Sequence, residues 1–385
     1  MKSFRPARAA TALCAASIQS TMHRSKRVFS TFDMDKVFSS KEKLLLTPGP
    51  LSTSPTVKAC LTRDFGSRDQ TFINLIQSVR DELLNVAQVS NKEYTSILMQ
   101  GSGTFAVEAA IGTVIPRGDK GKLLVITNGA YADRAGKIAK VLQINHEFLR
   151  YVEDTKPNAD DVEKMLAEHA SKGAPFSTVF MVHSETTSGL VNPIEAVGKM
   201  AKKYSCDYMV DGMSSFGGIP IDFEQSGIDV LVTSANKCLQ GVPGFGVVIC
   251  KRSLLEQCED RARSLSLDLF DQEKGLRANG QFRFTPPTHT ICAFQKALNE
   301  LKEEGGVAQR YKRYVRNKEI VVEAMEKLGF ELYLEKSEQG PIISSFKYPA
   351  SEKWDFEVFY NKLAEHDYLI YPGKVTNADC FRIGH

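Results

Sequence analysis

Three short stretches of the 385-residue chain place reactive groups where strands hand over to helices or loops. Gly101-Ser102-Gly103-Thr104 follows the apolar run YTSILMQ and opens the helical pattern FAVEAA. A helix start offers N–H groups without partners and a partial positive charge, so this turn suits a phosphate, with the Ser102 and Thr104 hydroxyls as added donors; a simple capped turn is the plainer alternative. Asp211 stands where the apolar run YMV enters DGMSSFGG, and a carboxylate at a buried strand end needs a cation or hydrogen-bond donors. Lys237, 26 residues later in SANKCLQGVPGFG, again follows a buried run, DVLVTS. Either residue alone reads as structural or merely solvated.

GSGTFA also satisfies the dinucleotide pattern G-x-G-x-x-A of a nicotinamide-dependent oxidoreductase using NAD or NADP. That reading needs an acid at the end of the next strand. Here KLLVIT ends in Asn128-Gly129, and the nearest acid, Asp119, precedes the strand. Taken together, an anion cradle, a strand-end acid and a strand-end amine are the requirements of pyridoxal 5'-phosphate. The cradle takes the phosphate, the acid keeps the ring nitrogen protonated, and the lysine bonds covalently to the aldehyde.

The elements that must carry these groups alternate. Strand-like YTSILM, KLLVIT, STVFMV, YMVDG, DVLVTS and FGVVIC are separated by helical FAVEAAIGTVI, YADRAGKIAKVL and PIEAVGKMAKKY. This pattern predicts an α/β fold with a mainly parallel sheet covered by helices, whose chemistry collects at the carboxyl ends of strands. Beyond His289 the pattern changes to long helices (ICAFQKALNELKEE and RYKRYVRNKEIVVEAMEKLG), short strands (FELYLE and IISSFKY) and a helix at EVFYNKLAEH. The expected organisation is a leading segment over 1–40, a large domain over 41–303 and a smaller α+β domain over 304–385. Trp354, the only tryptophan, is expected in the core of the small domain.

Composition limits the partners. Lys and Arg number 49 against 46 Asp and Glu, too balanced for a nucleic-acid binder, and no apolar run is long enough to span a membrane. Eight scattered cysteines without a C-x-x-C argue against a disulfide framework or a structural zinc site. Residues 1–32 hold six basic residues and no acid, the composition of a mitochondrial transit peptide, with a processing-site-like Arg27-Val28-Phe29-Ser30; the matrix is the expected location and the cytoplasm the alternative.

From Leu44 to the last residue the chain resembles the class V aminotransferases of the fold-type I pyridoxal-phosphate enzymes. The matching segments are LLLTPGPL (44–51), DFGSRD (64–69), GSGTFAVEA (101–109), TNGAYADR (127–134), HSETTSGLVNPI (183–194), DGMSSFGG (211–218), SANKCLQGVPGFG (234–246) and CFRIG (380–384). DFGSRD and SANKCLQGVPGFG direct the resemblance to the branch that moves the amino group of 2-aminoethylphosphonate to pyruvate, giving phosphonoacetaldehyde and L-alanine. A branch of the alanine–glyoxylate or serine–pyruvate kind is the neighbouring alternative.

The resemblance implies that Lys237 binds the cofactor and shuttles a proton, and that Asp211 pairs with the ring nitrogen. Ser102, Gly103 and Thr104 would hold the phosphate with Asn236 nearby, and Thr285 would complete that site from the other subunit of a homodimer. Thr186 would bond near the ring oxygen, Tyr131 would stack on the ring, and Arg382 would clamp the substrate carboxylate. A phosphonate carries more negative charge than a carboxylate, so a second cation is expected, with Arg68 and Arg283 as candidates. His183 reads as a structural histidine and Glu185 as a supporting partner. Family members continue past FRIG, so the small domain is expected to be incomplete.

Overall fold

Seven strands form the sheet that the alternating pattern predicts, in a computed structural model that describes residues 33–385. They are β1 (Tyr94–Gln100), β2 (Lys122–Thr127), β3 (Asn145–Arg150), β4 (Thr178–Val182), β5 (Asp207–Asp211), β6 (Val230–Ser234) and β7 (Phe245–Lys251). Their order across the sheet is β1-β7-β6-β5-β4-β2-β3. Only β7 is reversed: it pairs antiparallel with both β1 and β6, while the remaining neighbours are parallel. Two reversals restore direction, so β1 runs the same way as β6. The carboxyl ends of β1, β2, β4, β5 and β6 therefore share one edge of the sheet. The register keeps them level, with Val182 opposite Asp211 and Asp211 opposite Val232.

The central strands read as unbroken apolar runs because both faces are covered. β5 and β6 are buried along nearly their whole length. The helices that cover or flank the sheet include α1 (Gln70–Ala87), α2 (Gly103–Val114), α3 (Ala130–Val141), α4 (Ala159–Ser171), α5 (Ile194–Lys203), α6 (Leu269–Asn279) and α7 (Thr288–Glu303). Most of α2 is buried, as expected of a helix resting directly on β6 and β7. At Gly246 on β7 a Cβ would come within 2.5 Å of the Ala106 methyl, so this glycine permits the close seating of α2.

After the turn at Glu304-Gly305 come α8 (Gly306–Lys327) and a second sheet of β8 (Ile343–Lys347), β9 (Tyr371–Pro372) and β10 (Cys380–Gly384), with β10 in the middle and antiparallel to both neighbours. Helix α9 (Phe356–Glu365) closes an aromatic cluster centred on the fully buried Phe381, whose ring lies 5.3–6.4 Å from those of Phe330, Phe346, Tyr348, Trp354, Phe356 and Phe359. The predicted strand FELYLE forms only as a single bridge: Tyr333 N donates to Ser345 O at 2.8 Å and Lys347 N to Glu331 O at 2.9 Å, which sets Leu332 opposite Phe346 on the open edge of β8 before the chain bends away at Tyr333-Leu334. Leu44-Leu45 adds a short parallel pair with Tyr368-Leu369, and Gly384 N donates to Leu46 O at 3.0 Å. That brace carries the following Thr47-Pro48-Gly49-Pro50 from the small sheet toward the edge of the large one.

Contacts divide the chain after Glu42. In the leading unit the described residues form one short helix, Met34–Ser39. The predicted import segment at 1–32 lies outside the described residues. Among the described residues, no helix is long and apolar enough to cross a membrane.

Candidate active site

The shared strand edge opens into a cavity of about 190 Å³. Its lining brings together Ser102, Gly103, Thr104, Tyr131, Thr186, Asp211, Asn236 and Lys237, eight of the residues singled out in the sequence. They arrive from the ends of five strands, β1, β2, β4, β5 and β6, or from the connections that follow them. One small aromatic molecule can therefore touch all of them. A larger cleft of about 970 Å³ lies around Tyr94, Phe223 and Lys251, away from every predicted site residue.

The anion cradle is the start of α2. Ser102 stands at the N-cap without using its hydroxyl to cap the helix, and the first N–H groups of the helix have no intrahelical acceptors. Arg134 donates to the Thr104 hydroxyl at 3.2 Å and lines the same cavity, which adds a full positive charge to the partial charge of the helix end.

Asp211 is 6% exposed, and its Oδ1 accepts from Met213 N at 2.8 Å. Among the described residues no cation lies within ion-pair distance of it. Burial pushes its pKa up to about 6, against weaker opposing effects from the Met213 hydrogen bond and from Lys237 and Arg134. A buried acid in this position gains most from a partner that presents a positively charged N–H.

Lys237 follows β6 in a turn closed by Gln240 N to Lys237 O (2.7 Å) and Gly241 N to Ala235 O (2.8 Å). Burial lowers the pKa of its amine, with Arg382 adding in the same direction and Tyr131 and Asp211 opposing. The amine donates to the Pro48 carbonyl at 2.7 Å. Gly49 makes room for this lysine: it has φ +124°, and a Cβ there would fall 2.4 Å from Lys237 Cδ. Only glycine meets both conditions without strain.

Tyr131 begins α3 beside the cavity. Burial would raise its pKa, but the charges of Lys374, Lys237 and Arg382, with a hydrogen bond from Thr186, outweigh burial and lower it. Arg382, on β10, is 3% exposed; its Nη1 donates to Thr186 O at 2.9 Å and its Nε to Pro372 O at 3.0 Å. Those bonds use two of the five guanidinium N–H donors. The planar group is thus fixed against the Thr186 segment of the cavity wall.

His183 and Glu185 lie beneath the site. His183 Nδ1 pairs with Ser215 Oγ at 2.9 Å, and burial lowers its pKa to about 4, so it stays neutral near pH 7. Glu185 is fully buried, accepts from the N–H and hydroxyl of Thr187, and is pushed up to about 7 chiefly by burial.

Four predicted residues are not part of the cavity lining: Arg382 stands behind Thr186, and the other three lie elsewhere in this chain. Arg68 is exposed. Arg283 is engaged by Asp271 at 3.2 Å and by the Leu265 carbonyl at 2.9 Å. Thr285 is exposed, its carbonyl accepting from Gln100 Nε2 at 3.3 Å. The dinucleotide reading loses its remaining support at Asn128, a buried amide bonded to Asn192 Oδ1 and the Thr155 carbonyl where a ribose-binding acid would be needed.

Arg134 and the Pro48-Gly49 pair were not found as site residues by their chemistry. The signal for Arg134 was its place one helical turn after Tyr131, which sets both on one face of α3. Lys237 and Pro48 are separated by 189 residues and leave no local signal of their contact.

The sheet order, the strand-edge cavity and the lysine–acid–cradle set define the fold-type I transferases. The class-V aminotransferase family model matches residues 54–364, and the chain belongs to that family. It is 49% identical over 348 residues to the 2-aminoethylphosphonate–pyruvate transaminase of Syntrophobacter fumaroxidans, covering 90% of this chain and 92% of the relative. The enzyme of that name from Vibrio vulnificus is 48% identical, with 89% and 92% covered. Among solved structures, alanine–glyoxylate aminotransferase from Nostoc sp. superimposes with a TM-score of 0.81 at 24% identity, covering 90% of both chains. Pyridoxamine–pyruvate aminotransferase from Mesorhizobium loti matches with a TM-score of 0.81 at 23% identity, covering 90% of this chain and 87% of that one. At those identities the likeness is one of fold.

Proposed function

We propose that this chain is a pyridoxal-phosphate-dependent aminotransferase that moves the amino group of 2-aminoethylphosphonate to pyruvate, giving phosphonoacetaldehyde and L-alanine. The observation that carries the reading is the convergence of Lys237, Asp211 and the Ser102–Thr104 turn on one cavity, in a chain nearly half identical to transaminases of that name.

The donor set suits the cofactor. Asp211 is a buried acid in want of a cationic N–H, the α2 start offers free donors with Arg134 beside them, and Lys237 is an amine made more nucleophilic by burial. When bound, pyridoxal phosphate supplies an electron sink that stabilises negative charge on the substrate's amino-bearing carbon. The protein's part is positional and protonic. Ser102, Gly103, Thr104 and Arg134 would hold the phosphate, with Asn236 nearby, and Asp211 would keep a proton on the ring nitrogen. Tyr131 would cover the ring and Thr186 would bond at its edge. Lys237 Nζ would take the proton from the donor's amino-bearing carbon and deliver it to the carbon that carried the cofactor's aldehyde, and the Pro48 carbonyl would hold the amine while it is free. Arg382 binds the substrate's anionic group.

The same proposal includes a homodimer in which Thr285 serves the neighbouring site. Its exposure beside the exposed Phe284 supports this. Mixing a K237A chain with a T285V chain tests it, because heterodimers regain one complete site and recover activity only if Thr285 acts across the interface. The acid-free, arginine-containing segment 1–32 supports import into mitochondria, tested by fusing it to a reporter and fractionating cells.

The decisive experiment for the reaction is a half-reaction. Holoenzyme mixed with 2-aminoethylphosphonate alone should convert to the pyridoxamine form and release phosphonoacetaldehyde. Conversion by alanine or serine but not by 2-aminoethylphosphonate would overturn the donor assignment.

A further inference from the structure

We propose that Lys374 is the second cation of the substrate site, and that it contacts the phosphonate of the amino donor but not the carboxylate of alanine or pyruvate. This inference rests on the donor proposed above.

Lys374 lies in the connection between β9 and β10, the hairpin that also delivers Arg382. Its ammonium stands 3.5 Å from the Tyr131 hydroxyl and 4.6 Å from the centre of that ring, and Tyr131 lines the cavity. The loop around it is tied down on both sides. Gly373 N donates to Cys380 O at 2.7 Å, while Thr376 bonds to Glu153 Oε2 through its N–H (2.6 Å) and its hydroxyl (3.2 Å). The Tyr333 hydroxyl donates to Asn377 Oδ1 at 2.8 Å. Glu153 is thereby committed to Thr376, and among the described residues no carboxylate pairs with Lys374. A cation held at the edge of the site without an acid has an open claim on a substrate anion.

The chemistry of the two donors makes the assignment selective. In alanine the carboxylate is attached directly to the carbon bearing the amino group. In 2-aminoethylphosphonate one methylene intervenes, so with the nitrogen held at Lys237 the phosphonate reaches about 1.5 Å farther out. It also carries more charge: groups of this kind lose their second proton near pKa about 6, leaving between one and two negative charges at neutral pH. One guanidinium matches a carboxylate, whereas the phosphonate leaves charge over. The cations around Tyr131 are Lys374, Lys237, Arg382 and Arg134, the last 5.1 Å from the ring centre but already placed at the anion cradle by its bond to Thr104. Lys237 is needed for proton transfer and Arg382 serves both substrates, which leaves Lys374. Neither Arg68, exposed outside the cavity, nor Arg283, bound to Asp271, is placed within this chain to do the same.

The test compares holoenzyme of the wild type, K374M and K374R in the half-reaction with 2-aminoethylphosphonate and with alanine, reading apparent Kd and the limiting rate for each. K374M should weaken 2-aminoethylphosphonate about tenfold, the lower range for a charge-assisted bond at an exposed residue. Alanine should shift less than about twofold, limiting rates should change little, and K374R should restore most of the loss. Equal effects on both donors, or none on 2-aminoethylphosphonate, overturn the role of Lys374 while leaving the donor assignment intact. A wild type that does not convert 2-aminoethylphosphonate overturns the donor assignment and this inference with it.

Discussion

Replacing Asp211 by Asn should make the cofactor-free protein more stable while abolishing its function. In the folded chain burial raises this carboxyl from 3.8 to about 6, so the folded state holds the proton more tightly than the unfolded state. The ionised group therefore costs stability progressively as pH rises from about 4 to 6, and the full cost persists above that window. Two units at 1.36 kcal/mol each give about 3 kcal/mol. Asn keeps an acceptor for Met213 N but introduces two buried N–H donors, which reduces the gain by about 1–2 kcal/mol. At pH 8 the apo D211N protein should then unfold about 1–2 kcal/mol later than wild type, which in a chain of this size is only a few degrees in Tm. Below pH 4 the gain should vanish and only the cost of the two N–H donors remain, leaving D211N about 1–2 kcal/mol less stable than wild type. His183 and Glu185 titrate across neighbouring ranges, so the informative quantity is the difference between the two proteins, in which shared groups largely cancel. Adding pyridoxal phosphate should reverse the ranking, because wild type gains more from binding. Urea titrations at pH 4 and 8, with and without cofactor, check this. An apo D211N protein less stable than wild type at pH 8, or one that gains as much from the cofactor, would refute the claim that Asp211 is a buried charge reserved for a cationic ring.

Other expectations follow from the same geometry. K237A should lose the visible absorbance of lysine-bound pyridoxal and at least about 10³-fold in turnover, measured by spectrum and steady-state rate. G49A should slow the growth of that absorbance after cofactor is added, since its Cβ would occupy the space of Lys237 Cδ and its backbone would sit at φ +124°, a strain of about 1–3 kcal/mol; unchanged capture kinetics would count against the clearance role. His183 has a folded pKa lowered from 6.5 to about 4, so its contribution is intact above pH 6.5 and is lost as pH falls toward 4, to a total of about 3 kcal/mol; H183Q should flatten that part of a stability–pH curve. F381A should cost about 3–5 kcal/mol by emptying the centre of the aromatic cluster, read from urea midpoints with Trp354 fluorescence as the local signal.

Elements with strong patterns are legible in the sequence alone. The apolar runs of β1, β2 and β4–β7 are buried on both faces and declare themselves by composition. The strand β3 did not, because Asn145–Arg150 is half-exposed at the sheet edge and alternates too weakly to stand out. FELYLE misled for the opposite reason: it has strand composition, but only Glu331–Tyr333 follows the open edge of β8 before the chain bends away.

The parts list of the site followed from residue types at strand ends, since parallel strands bring their carboxyl ends to one edge whatever their order. Lys237, Asp211 and the Ser102–Thr104 turn could thus be assigned to one place from their local context. Only the folded chain could decide which distant groups complete that place. Pro48 and Gly49 meet Lys237 because a two-residue parallel pair with Tyr368-Leu369 braces the segment that precedes them. Arg283 is held elsewhere by Asp271 and Leu265, and Lys374 stands over Tyr131 because the β9–β10 connection is tied to Glu153. Local sequence governs backbone preference and the burial of a strand, both short-range effects. The pairing of a cation with one anion rather than another depends on separations of a few ångströms between residues far apart along the chain, and packing sets those.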